Sequence, residues 1–170
     1  MTNTQDRIGT SHDEAQLRYL RAAEYAQQKK YGEAEAEFVA ALAMNPTMYT
    51  ARFQLGLLQL TNGNVAAART TWAELLDPNA PINLQHFVRG LDALIHDDFP
   101  TAIAHLQTGI SLNTSNAPLN KDMAMVIAKI QDATANGQPA VTNEPIKAAP
   151  AAETEPAPAR TDFSLYEKKF

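Results

Sequence analysis

Apolar residues along this chain recur at helical spacing, in paired segments separated by short polar turns. Between Tyr49 and Ala80 the runs YTARFQLGLLQLT and VAAARTTWAELL flank Asn62-Gly63-Asn64. Apolar positions three and four apart predict an amphipathic helix on each side of that turn signal. The layout returns at a step of 34 residues. Small residues of the first helix fall at Ala22, Gly56 and Gly90, and in a half-repeat at Ala124. Those of the second helix fall at Ala34, Ala68 and Ala102, and a bulky residue follows at Phe38, Trp72 and Leu106. No insertion breaks the register from Ala15 to Ala124. A fixed period of this length predicts stacked helical hairpins, with the small residues allowing close approach and the bulky one filling the seam.

The boundaries follow from local signals. Residues 1–10 are polar and are expected to form a flexible leader. Ser11 with Glu14 has the spacing of a capping box and predicts the start of the first helix, which runs to about Lys30. Its partner covers about Gly32 to Met44 and stops at Asn45-Pro46. The second hairpin is expected over Thr47 to Thr61 and Val65 to Leu76, the third over Ile82 to Ile95 and Pro100 to Leu112. Asp98 suits an N-cap there, and Pro100 sits early, where its missing N–H costs little. Pro118 to Thr134 predicts a seventh helix, with Met123, Val126, Ile127 and Ile130 inward and Lys121, Asp122, Lys129, Gln131 and Asp132 outward. Such a helix covers the apolar face that the last hairpin leaves open. The repeat domain therefore spans 11–135, with repeats at about 15–48, 49–82 and 83–116 and a cap at 117–135.

Beyond it, residues 136–162 are rich in Pro and Ala. They offer too little apolar surface to offset their ordering entropy, and are expected to be a disordered linker. Residues 163–170 break that polarity with Phe163, Leu165, Tyr166 and Phe170, and are expected to be a docking motif. Its target is either this chain's own repeats, a second copy, or a separate partner.

The first copy, AAEYAQQKKYGEAEAEFVAALAMNP, places Tyr25, Tyr31, Ala34, Phe38, Ala41 and Pro46 in a pattern that resembles the tetratricopeptide repeat. Later copies depart from it: Gln59 and Ala93 stand where the pattern has tyrosine, and Leu75 and Gly109 where it has a late alanine. The resemblance implies an all-α fold, a solenoid of three antiparallel helix hairpins with a C-terminal capping helix, followed by the disordered tail. It also implies a protein or peptide partner and no catalysis. Members that grip acidic chaperone tails carry a lysine–asparagine pair, an asparagine and a lysine–arginine pair. The matching positions here are Tyr19 and Ala23, Gln54, then Leu84 and Val88, so that clamp is absent. Length, repeat number and acidity are similar to bacterial secretion chaperones of the tetratricopeptide type. Those usually have a longer N-terminal helical region and lack a Pro/Ala-rich tail.

Composition narrows the chemistry. A net charge of −5 argues against a nucleic-acid partner, which calls for a basic stripe. No apolar run approaches the roughly 20 residues needed to span a bilayer. The start, MTNTQDRIGTSHDE, lacks the apolar core of a secretory signal, so a cytoplasmic location is expected. With no cysteine, thiol and disulfide chemistry are excluded. No GxSxG, Cys–His pair or phosphate-cradling glycine loop appears, so no enzyme activity is expected. His96-Asp97-Asp98 with His105 fits no standard zinc spacing, and neither metal nor cofactor is expected.

In stacks of this type the first helix of each hairpin lines a concave groove. Tyr19, Phe53, Leu57, Leu60, Leu84, Phe87, Leu91, Leu94 and Met125 are the apolar residues of those columns, and are expected to bind a partner there. Burying one Leu or Phe contributes roughly 1.5–3 kcal/mol. Three or four anchors then suffice for the roughly 8 kcal/mol of a micromolar complex, ordering costs included. The function that follows is an adaptor or chaperone holding a hydrophobic segment of another protein. The alternatives are a structural assembly subunit whose strip is covered by its own copy, or a regulatory accessory domain of a larger secretion or enzyme complex.

Overall fold

The computed structural model describes the backbone of residues 4–135, and their side chains from residue 12 onward. The expected linker and docking motif, with Phe163, Leu165, Tyr166 and Phe170, lie outside the described residues. Seven α-helices follow one another: α1 (Thr4–Gln27), α2 (Tyr31–Met44), α3 (Tyr49–Thr61), α4 (Val65–Trp72), α5 (Ile82–Ile95), α6 (Phe99–Leu112) and α7 (Ala117–Ala135). A turn of 3-10 helix, Ala73–Leu76, continues α4. The described residues contain no strand. Helices α1 and α2, α3 and α4, and α5 and α6 pair as hairpins, and α7 packs on α6.

The 34-residue register is visible in the backbone itself. Each hairpin turn holds one residue in the left-handed region: Lys29 at φ 60°, Gly63 at 79° and Asp97 at 58°. The amide that follows, of Lys30, Asn64 and Asp98, reaches back to the carbonyl of Tyr25, Gln59 and Ala93 at 2.9, 2.8 and 3.0 Å. This is the bond that closes a helix ending in a left-handed residue. The next helix then starts at once, capped by the side chain of Asn64 on Ala67 N–H and of Asp98 on Thr101 N–H. Lys30 holds the same place before α2 without a side-chain cap.

Two boundaries differ from expectation. Helix α1 begins at Thr4, so residues 4–10 are helical and Ser11 lies inside the helix, not at its cap. A helix already nucleated by packing at Ala15 and Ala22 extends upstream cheaply, because the costly first turn is formed. The second helix of the middle hairpin leaves α-geometry at Ala73.

The seams are built as the small-residue columns require. Ala22, Ala34, Ala68 and Ala102 are fully buried, as are Phe38, Trp72 and Leu106 to within 1%. A Cβ on Gly56 would come within 2.6 Å of Trp72 ring atoms, and one on Gly90 within 2.8 Å of Leu106. Gly109 extends the rule, since its Cβ would meet Phe87 at 2.5 Å. Ala124, the fourth member of the first column, is exposed: among the described residues no helix follows α7 to pack on it.

The core divides at α3, whose residues from Ala51 to Thr61 are all buried. Ala51, Leu55 and Leu58 join α1 and α2 around Phe38 and Tyr19. Phe53, Leu57 and Leu60 join α5, α6 and α7 around Trp72, Phe87 and Leu91. Met123, Val126, Ile127 and Ile130 of α7 close that second cluster, as the capping role anticipated.

Candidate partner-binding site

The structure places the expected groove residues in the core. Phe53, Leu57, Phe87 and Leu91 are at most 1% exposed, and Tyr19, Leu60, Leu84 and Leu94 at most 7%. Met125 alone of the nine is half-buried. The reason is packing between neighbouring first helices. The Phe53 ring lies 6.0 Å from the Trp72 ring and 5.9 Å from that of Phe87, and Tyr19 sits 6.1 Å from Phe38. These columns therefore form the interlayer filling of the stack and do not present an open strip. Burial also pushes the Tyr19 hydroxyl pKa up to about 12, with a hydrogen bond to Gln54 opposing the shift.

Polar side chains on the same helices tie the layers together. Gln59 donates through Nε2 to Glu35 Oε1 of α2 at 2.8 Å and accepts at Oε1 from Thr71 Oγ1 of α4 at 2.7 Å. One amide thus links three helices across the first two hairpins. Arg52, nearly buried, pairs with Glu74 Oε2 at 2.6 Å and donates to the Pro46 carbonyl at 3.1 Å. Gln85 donates to the carbonyls of Asp77 and Ala80 at 3.2 and 3.0 Å, fastening the link before α5.

Between the second and third hairpins the same region is open. A cleft of about 370 Å³ lies over α5, with α4 and its 3-10 turn as one wall and α6 as the other. That volume is in the range of small-ligand and side-chain pockets. Leu76 supplies exposed apolar surface, Trp72 and Val88 lie buried behind the lining, and Ala93 is half-buried among them. Arg69 and Arg89 border it, together with Asp92 and His105. Arg69 Nε pairs with Asp92 Oδ1 at 3.0 Å. Arg89 donates only to the neutral Gln85 Oε1, at 3.4 Å, so two guanidinium groups face one carboxylate.

His105 also meets His86 of α5, their Nδ1 atoms 3.0 Å apart and ring centroids at 5.2 Å. One ring must donate and the other accept, so the pair is held by a single proton. Burial lowers the pKa of His86, and the neighbouring His105 and Arg89 add to the effect. The sequence groups His105 with His96-Asp97-Asp98 and does not pair it with His86. The repeat carries the signal: Arg18 of α1 meets Glu37 of α2 at 3.2 Å, at the same two register positions two repeats earlier, with the same separation of 19.

Residues 14–81, covering the first two hairpins, match the family model described as Tetratricopeptide repeat. These residues are tetratricopeptide repeats. The third hairpin lies beyond the matched residues but keeps the turn, cap and seam positions of the second. No curated protein and no solved structure matches the chain significantly. Tetratricopeptide repeats are in general non-catalytic modules for protein–protein interaction, and that general role extends to this chain. Among the described residues, no helix is long and apolar enough to cross a membrane.

Proposed function

We propose that this protein is a cytoplasmic adaptor or chaperone that holds a segment of a partner protein against its stack. The observation that carries this reading is the repeat array itself. Three hairpins share one register, and their apolar columns are spent on interlayer packing, leaving a rigid surface on which side chains are presented at fixed spacing. Rigid presentation favours binding because little ordering cost is incurred on association.

The buried columns revise how the partner is held. A segment using Phe53 or Leu91 as its contacts would have to part the layers that cover them. The contact surface is therefore placed on side chains the stack leaves accessible, with the core columns acting as scaffold. The test is affinity capture with crosslinking from the native cell, followed by titration of the purified candidate. A saturable, stoichiometric complex at about micromolar concentration supports the adaptor reading. No stoichiometric complex at protein concentrations ten times higher would overturn it.

A further inference from the structure

The 34-residue register allows one interlayer position to be compared with the next. Glu35, Gln59 and Thr71 form the amide bridge across α2, α3 and α4. One repeat later the same three places are Arg69, Ala93 and His105. All three line the 370 Å³ cleft. The open space is thus the place of a missing bridge: Ala93 has no amide to reach either wall, and the wall that was Glu35 has become a guanidinium. A step earlier on α5, Arg89 stands where α3 has the buried Leu55. There an apolar filler has been replaced by a cation. What remains is a cleft with Arg89 on its floor, Arg69 on one wall and the hydrogen-bonding Thr101 and His105 on the other.

We infer that this cleft is a binding site for a partner-protein segment carrying a glutamate or aspartate beside an apolar side chain, the carboxylate bridging Arg69, Arg89 and His105 where Gln59 bridges the preceding layer. This inference rests on the adaptor reading and specifies its contact surface. Charge complementarity selects the occupant. Of the charged groups bordering the cleft, two are guanidinium and one is the Asp92 carboxylate, already paired with Arg69. A neutral apolar segment would leave Arg89 without an anionic partner, whereas a carboxylate supplies one with charge-assisted hydrogen bonds. Leu76, exposed on the 3-10 turn, then receives the neighbouring apolar side chain, with Trp72 buried behind it. The site lies on the second-helix side of the stack, between α4 and α6, and not among the first-helix columns.

The experiment uses the full chain, labelled for amide NMR, and two blocked hexapeptides that share a Leu-Glu-Leu or a Leu-Gln-Leu core. The Glu peptide is expected to shift the signals of residues 69, 89, 93 and 105 saturably, and to quench or shift the emission of Trp72. The Gln peptide is expected to bind at least about fivefold more weakly, the carboxylate being the group recognised. Ala93→Gln, which restores the bridge of the preceding layer, should abolish the response while leaving the unfolding midpoint unchanged or higher. Arg89→Gln should weaken it without closing the cleft. Equal affinity for the two peptides, or wild-type binding by Ala93→Gln, would overturn the site. So would cleft signals that stay fixed at about 10 mM peptide, a concentration at which even millimolar contacts are populated. Movement of the same signals on replacing Leu165, Tyr166 and Glu167 by Ala, Ala and Gln would overturn the partner as occupant, giving the cleft to this chain's own segment. The adaptor reading fails separately: a captured partner that binds Ala93→Gln as well as wild type keeps the adaptor and removes this site.

Discussion

Replacing Gly56 by alanine sets two physical effects of opposite sign against each other. Alanine is the better helix former by about 1 kcal/mol, so an exposed helical glycine gains from the change. At position 56 the added Cβ would fall within 2.5 Å of Trp72 Cδ1 and 2.6 Å of Cε2, where ordinary contact begins at 3.4 Å. The indole must therefore move by roughly 1 Å, and overpacking of this kind costs about 1–3 kcal/mol. Trp72 is 1% exposed, and its Nε1–H donates to the Phe53 carbonyl at 3.0 Å. Losing that bond leaves a buried donor, at a further cost of about 1–3 kcal/mol. The net expectation is destabilisation by about 1–5 kcal/mol once the propensity gain is deducted. Urea unfolding reads it directly, since Trp72 is the one tryptophan and reports from the seam itself. Gly32→Ala is the control: nothing lies within 4 Å of its Cβ, so stability should rise by about 0.5–1 kcal/mol. If Gly56→Ala is stabilised as much as Gly32→Ala, Trp72 does not seat on residue 56 and the seam is wrongly built.

The hairpin turns give a second test: Lys29→Gly and Asp97→Gly should each raise stability by about 0.5–1 kcal/mol, because an L side chain is strained at positive φ, whereas Gly63→Ala should lower it similarly. Equal midpoints for all three in thermal melts would refute the shared turn geometry. Phe53→Glu and Leu91→Glu place a carboxylate at sites 0% exposed, so both should abolish cooperative unfolding, and retained native helicity would return these residues to an open face. The lowered pKa of His86 means the unfolded chain binds more protons near and below pH 6.5. Stability should therefore fall as pH drops below that value, and His86→Gln should flatten the decline in urea midpoints measured across pH 5–7.5; an unchanged slope would discard the histidine pair as its source. Lys30→Asp, copying Asp98 at the start of α6, should add about 1 kcal/mol by capping α2, and no gain by denaturation would show that Glu33 already satisfies that helix end.

Much of the architecture was legible in the chain because it is local and periodic. Gly63 announces its turn, Asp98 its cap, and the recurrence of Ala34, Ala68 and Ala102 fixes which faces of the hairpins meet. The sequence also marks Ala93 as a departure from the repeat pattern. It does not say whether the lost side chain was refilled from elsewhere. That depends on what stands across the gap, and only the tertiary structure shows Arg69 and His105 facing an open volume.

The first-helix columns were misjudged for a related reason. A stripe of Phe53, Leu57 and Leu60 has the same periodicity whether it faces a groove or the next helix, since amphipathic spacing defines a face and not its neighbour. The distance between first helices decides the outcome, and it is set by Phe87 and Leu91 from another repeat. Likewise, residues 4–10 are polar enough for a loose leader, yet they continue α1 once downstream packing has supplied the nucleus. The sequence by itself determined the repeat and its seams, which rest on side-chain size within a hairpin. Tertiary structure decided which apolar faces are covered and which polar places are left unfilled, because both depend on contacts between hairpins.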